Sequence, residues 1–133
     1  MKTKSLGFIG GGRITKVILQ AIANNKTEYK AIAVYDTNSA VLSALQNQFP
    51  GILLAESATE AAKQDMVFLA LHPPLIMDTL ELVKDQFNPG SILISLAPKI
   101  TIEKMASKLK NFKNIVRLFL TWTSQNQKGT QNT

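Results

Sequence analysis

Leu6-Gly7-Phe8-Ile9-Gly10-Gly11-Gly12-Arg13-Ile14-Thr15 lies just behind a polar start and decides how the rest of the chain is read. Leu6 to Ile9 is a short apolar run closed by glycines, the profile of a buried strand entering a tight turn. From Ile14 the apolar residues Val17, Ile18, Ala21 and Ile22 recur at helical spacing until Asn24-Asn25 ends the pattern. The glycines therefore sit between a strand and a helix, in the form G-x-G-x-x-small. In that form Gly10 permits the tight turn, and Gly12 lets the backbone approach a pyrophosphate with no Cβ in the way. The N–H groups and dipole of the following helix favour the same anion. Thr15 stands where a third glycine usually allows close helix–strand packing.

Downstream the two periodicities alternate. Ala31 to Tyr35 is a β-rich run, and Asp36-Thr37-Asn38-Ser39 suits a turn and a helix cap. A helix is predicted over 40–49, with Val41, Leu42 and Leu45 on one face, ended by Pro50-Gly51. A short strand over 52–55 and a short helix over 59–63 follow. Met66 to Leu71 is almost wholly apolar, as a strand covered by helices on both faces should be. His72-Pro73-Pro74 breaks it, and Ile76, Leu80 and Val83 mark another helix. Strand 91–96, helix 102–109 and a final strand 114–120 complete the series. Such alternation predicts an α/β fold, a doubly wound parallel sheet of the Rossmann type, in a single domain over 1–122. The tail over 123–133 has no aliphatic residue and is expected to be disordered.

The acidic residue that the glycine fingerprint calls for, roughly 20 residues downstream, is met a little late by Asp36. Its carboxylate could accept hydrogen bonds from an adenosine ribose, which favours NAD, or it could simply cap the next helix. Thr37, Asn38 and Ser39 offer neutral donors to a 2′-phosphate, so NAD and NADP both stay open. Arg13 could pair with a cofactor phosphate. His72 and Lys99 follow strands on the side where open α/β sheets hold their ligands, but no partner carboxylate is identifiable for His72, and no catalytic residue is assigned.

Composition narrows the alternatives. The chain has 133 residues, the length of one ordinary domain, with no cysteine and one histidine, which leaves no thiolate chemistry and no expected metal site. No apolar run approaches the roughly 18 to 20 residues of a membrane span, so a cytoplasmic protein is expected. The net charge of +6 is spread over scattered lysines without interleaved aromatics, which argues against a nucleic-acid surface. A basic surface equally suits an anionic cofactor.

Between Leu6 and Leu118 the sequence resembles the amino-terminal domain of the pyrroline-5-carboxylate reductase family, the last enzymes of proline biosynthesis. The resemblance is carried by Gly7-Phe8-Ile9-Gly10-Gly11-Gly12, Asp65 to Pro73, Ser91 to Ala97 with Ile100-Thr101-Ile102, and Ile115-Val116-Arg117. It implies NAD(P)H-dependent reduction of a cyclic imine. It also implies that Gly10, Gly12 and Arg13 face the pyrophosphate, Asp36 to Asn38 the adenosine ribose, and Ala70 to Pro73 with Ala97 the nicotinamide half. With Gly11 and Ile14 from the turn, the expected cofactor set is Gly10, Gly11, Gly12, Arg13, Ile14, Asp36, Thr37, Asn38, Ala70, Leu71, His72, Pro73 and Ala97.

Three departures bear on function. His72 stands where the family usually has lysine, Pro98-Lys99 replaces a small-residue stretch, and Leu118-Phe119-Leu120-Thr121-Trp122 replaces a Met-Pro-Asn segment. The family's helical carboxyl-terminal domain, which forms the dimer and most of the imine site, has no counterpart in the sequence. The expectation is therefore a cofactor domain needing a substrate half from elsewhere: a fragment of a longer protein, a truncated gene product, or a domain that meets a second copy (a homo-oligomer) or a partner chain. The alternative is a non-catalytic nucleotide-binding or protein-interaction module, with Phe119 and Trp122 as natural contact residues.

Overall fold

The computed structural model describes residues 4–71, 73–96, 101–109 and 114–117. Strands and helices alternate without exception: β1 Ser5–Ile9, α1 Arg13–Asn25, β2 Ala31–Tyr35, α2 Ser39–Gln48, β3 Leu53–Leu54, α3 Ala58–Ala62, β4 Met66–Leu69, α4 Pro73–Val83, β5 Ile92–Ser95, α5 Ile102–Leu109 and β6 Ile115–Arg117. The strands form a six-stranded sheet in the order β3-β2-β1-β4-β5-β6. Every neighbouring pair is parallel. The direction of winding reverses between β1 and β4, which makes the carboxyl ends of these strands the topological switch point.

Period-two alternation along each strand divides the core in two. Leu6, Phe8, Val34, Phe68 and Ile94 point to one face and meet Leu19 of α1 and Leu42 and Leu45 of α2. Ile9, Ala33, Val67, Leu69 and Leu93 point to the other and meet α3, Ile76, Leu80 and Val83 of α4, and Met105 and Leu109 of α5. Phe8 and Phe68 are register partners across β1 and β4, and their rings stack with centroids 4.6 Å apart. At the opposite end of these strands from the switch point, Asp65 closes the sheet. Its Oδ2 accepts from the Ser5 amide at 2.9 Å and from the Ser5 hydroxyl, and its own amide donates to Ser5 Oγ. The Ser5 amide, and behind it the Ser5 hydroxyl and the charges of Lys4 and Lys30, hold the Asp65 carboxyl below its ordinary pKa despite partial burial.

The element boundaries differ from the sequence expectation in informative places. Helix α2 covers 39–48 and not 40–49, because Phe49 precedes Pro50, whose ring disfavours helical backbone before it. Phe49 instead leaves the helix and buries its ring in the core. Strand β4 stops at Leu69 and not Leu71, because its neighbour β1 turns away at Gly10. The last pairing there is the Ala70 amide donating to Ile9 O at 2.9 Å. Pro73 and Pro74 open α4 instead of merely ending the strand, since a helix's first turn needs no partner for a missing N–H. Strand β1 begins at the polar Ser5, held by Asp65, and β3 shrinks to 53–54. Of the expected final strand, 115–117 is described as strand, while 118–120 and the tail over 123–133 lie outside the described residues. Among the described residues no helix is long and apolar enough to cross a membrane.

Candidate functional site

At the switch point, strand ends are aligned by register. Ile9 pairs with Tyr35 on one side and Leu69 on the other, and Leu69 pairs with Ser95. The residues that follow, Gly10, Asp36, Ala70 and Leu96, therefore share one edge of the sheet. Gly10 has φ +112°, a conformation L side chains rarely adopt, and a Cβ there would lie 2.3 Å from Ala70 O. Its amide donates to Tyr35 O at 2.7 Å. The first glycine is thus required by the fold itself, at the crossing of three strands.

Gly11 is closely packed. A Cβ there would meet Val41 and Leu45 of α2 at 3.1 and 3.2 Å. Its amide donates to Asp36 Oδ2 at 2.8 Å. Gly12 is different. It is exposed, its φ of −80° is open to any residue, and nothing lies within 4 Å of a Cβ built on it. Nothing in the described protein uses the space in front of Gly12, which is the space a ligand approaching the turn would take.

Behind that space stands the N-terminus of α1. Its N-cap is Gly12, no side chain caps it, and its first turn has no acidic residue. By contrast Asn38 caps α2, Ser57 caps α3, and Thr101 Oγ1 accepts from Lys104 N at α5. The first-turn N–H groups of α1 are left for water or an anion. Thr15, fully buried, donates its hydroxyl to Gly10 O and so ties the helix's first turn back to the glycine turn. Sequence reasoning credited Thr15 only with being small; the signal for its second role was a hydroxyl at the position where glycine is usual.

The expected residues fall as follows. Arg13 is exposed at the start of α1 and Ile14 is half-buried behind it. Asp36 does not cap α2. Its Oδ1 accepts from the Asn38 amide at 2.8 Å while its Oδ2 holds Gly11, and Asn38 Oδ1 does the capping by accepting from Ala40 N at 2.9 Å. Two positions along the chain separate these tasks, because Asp36 directly follows β2 while Asn38 directly precedes α2. Thr37 is exposed. Ala70 and Leu71 are half-buried at the end of β4, with Leu71 packed on the α3/α4 side of the core. Pro73 is the first residue of α4. His72, Ala97 and Lys99 lie outside the described residues. Among the described residues no cluster of three acidic or histidine side chains could hold a metal ion. A groove of about 300 Å³ lined by Leu19, Ile22, Ile32, Phe49 and Ile52 opens near the other end of the sheet, remote from the glycine turn.

A glycine turn latched to β2, an open approach at Gly12, an uncapped helix start and an acidic residue after β2, all at a topological switch point, define a Rossmann-type dinucleotide-binding domain. The chain belongs to the family described as NADP oxidoreductase coenzyme F420-dependent, whose model matches residues 5–99. It is similar to the pyrroline-5-carboxylate reductase of Escherichia coli (strain K12), with 34% identity over 116 residues, covering 86% of this chain and 43% of that protein. Among solved structures it is similar to a pyrroline-5-carboxylate reductase from Coxiella burnetii, with a TM-score of 0.78 and 26% identity, covering 87% of this chain and 43% of that one. It also shares the fold of a Plasmodium falciparum pyrroline carboxylate reductase solved with NADP bound, with a TM-score of 0.71 and 21% identity over 88% of this chain and 42% of that one. The chain thus spans less than half the length of these relatives. The resemblance read from the sequence and the comparisons agree on a pyrroline-5-carboxylate reductase-like NAD(P)-binding domain.

Proposed function

We propose that the chain holds NAD(P)H at the glycine turn as the cofactor half of an imine reductase of the pyrroline-5-carboxylate type, within the cytoplasm. The observation that carries the reading is the contrast among the glycines. Gly10 is demanded by the fold and Gly11 is closely packed, whereas Gly12 is crowded by nothing among the described residues and faces the uncapped start of α1. In this reading Gly12 and the first-turn amides of α1 take the pyrophosphate, with Ile14 beside them and Arg13 as an exposed counter-charge. Asp36, Thr37 and Asn38 take the adenosine ribose. Ala70, Leu71, His72, Pro73 and Ala97 flank the nicotinamide. A bound nicotinamide would supply the hydride; the residues of this chain bind it, orient it and keep it against the strand ends.

The imine itself is proposed to be held by residues outside the region shared with the relatives named for that reaction, which are more than twice as long as that region. The domain reading that goes with this is a binding unit over 1–122 followed by a tail. The test is calorimetric titration of the purified chain with NADH and NADPH, followed by an assay of pyrroline-5-carboxylate-dependent cofactor oxidation. Binding without turnover by the chain alone is the expected result. No heat with either cofactor at millimolar concentration would remove the cofactor reading.

A further inference from the structure

We propose that Asp36 makes this site select the dinucleotide that carries no 2′-phosphate. The inference rests on the cofactor reading above and deepens it, because it names which of the two nicotinamide cofactors the loop after β2 accepts.

Asp36 is not a loose surface carboxylate. Its Oδ2 accepts from the Gly11 amide at 2.8 Å and its Oδ1 from the Asn38 amide at 2.8 Å. The Gly10 amide, bonded to Tyr35 O at 2.7 Å, fixes the glycine turn against the same strand end. The negative charge is therefore held at a set distance from the turn and cannot swing aside for an incoming anion without breaking the bond to Gly11. Each carboxylate oxygen keeps a further lone pair, so the group can still accept from the two adjacent hydroxyls of an adenosine ribose. A 2′-phosphate replaces one of those donors with a cluster of acceptors and brings like charge against like.

The surroundings offer that phosphate little in return. The Asn38 amide, a natural donor to an anion at this position, already donates to Asp36. The Asn38 side-chain oxygen is committed to the Ala40 and Val41 amides. Helix α2, Ser39–Gln48, contains no lysine or arginine along its length. Among the described residues no ion pair neutralises Asp36. The remaining donors of the loop, the hydroxyls of Thr37 and Ser39, are neutral. The family model's description names NADP and a solved relative was captured with NADP, so the proposed preference for NADH rests on this chain's own loop and not on the comparisons.

The experiment is parallel titration of the full chain with NADH and NADPH, at low and at high salt. NADH should bind tighter by on the order of tenfold or more, as expected for one added like-charge contact a few ångströms away at a protein surface. The gap should narrow as salt screens it. Asp36→Asn removes the charge and keeps an oxygen that can accept from Gly11, and should bring the two affinities within about threefold of each other. Thr37→Arg, at an exposed position that leaves the Asp36 bonds intact, should raise NADPH affinity relative to NADH. Thermal melting of each variant separates loss of fold from loss of selectivity. NADPH binding as tightly as NADH in the unaltered chain, or an unchanged ratio in both variants, overturns the inference and leaves the cofactor reading standing. Binding of neither cofactor removes the cofactor reading, and this inference with it.

Discussion

Replacing Gly10 and Gly12 separately by alanine should give opposite results, although the residues are two apart in one turn. At Gly10 the added Cβ would lie 2.3 Å from Ala70 O and 2.8 Å from Ala70 C, on a backbone with φ +112°. Backbone strain of that kind costs about 1–3 kcal/mol, and forcing an atom into packed backbone adds about as much. Gly10→Ala should therefore lose about 2–5 kcal/mol, lowering the melting temperature by on the order of 10 °C for a chain of this size. At Gly12 the Cβ meets nothing within 4 Å and φ is −80°. Reduced freedom of the unfolded chain stabilises alanine there by roughly 0.4–1 kcal/mol, and its poor N-cap preference removes a similar amount. The net change should stay within about 0.5 kcal/mol. Binding should reverse the order of severity, because the proposed cofactor site takes the open space in front of Gly12. A ligand present at a hundred times its dissociation constant raises stability by about 2.7 kcal/mol, so melting curves with and without NADH read both effects together. Gly12→Ala should melt like the parent alone and show a much smaller upward shift with NADH. A Gly12→Ala protein as damaged as Gly10→Ala, or one with the full NADH shift, would refute the reasoning.

Three further outcomes follow from the packing. Gly7→Ala would place a Cβ 2.0 Å from Ala61 O, so α3 must move off β1, at a cost of about 1–3 kcal/mol measurable by urea denaturation. Thr15→Val keeps the shape but leaves the buried Gly10 carbonyl without its donor, which should cost about 1–2 kcal/mol, and should weaken cofactor binding more than a remote change of equal cost. The Asp65 carboxyl, held below its ordinary 3.8 by Ser5, binds a proton less readily folded than unfolded. Its contribution is therefore complete above the ordinary carboxylate range and is lost as pH falls through the lowered value. Asp65→Asn should flatten the stability profile on that acid side, and a profile unchanged by the substitution would remove Asp65 from the account.

How much of this could be read in advance depended on whether the cause was local. The glycine turn, the strand before it and the helix after it were legible because each is dictated by neighbours in sequence: apolar period, a glycine for the turn, a run of helix formers. The end of α2 falls one residue before the one the apolar pattern predicts, because Pro50 restricts the backbone of Phe49. Asp36 was legible as a candidate and ambiguous in role, since both a ribose ligand and a helix cap are local descriptions. Its actual bonds, from the Gly11 amide across 25 positions of chain and from the Asn38 amide two residues on, are neither.

By itself the sequence determined the alternation of strands and helices, hence a parallel sheet with helices on both faces, and it placed the glycine turn at the end of the first strand. These follow from hydrophobic period and backbone freedom, which act over a few residues. Only the tertiary structure decided which glycines are packed against the fold and which is left open. That distinction rests on what a Cβ would meet: α3 behind Gly7, β4 behind Gly10, α2 behind Gly11 and open space at Gly12. Those neighbours come from distant parts of the chain, brought together by strand order and register, and no local pattern encodes them.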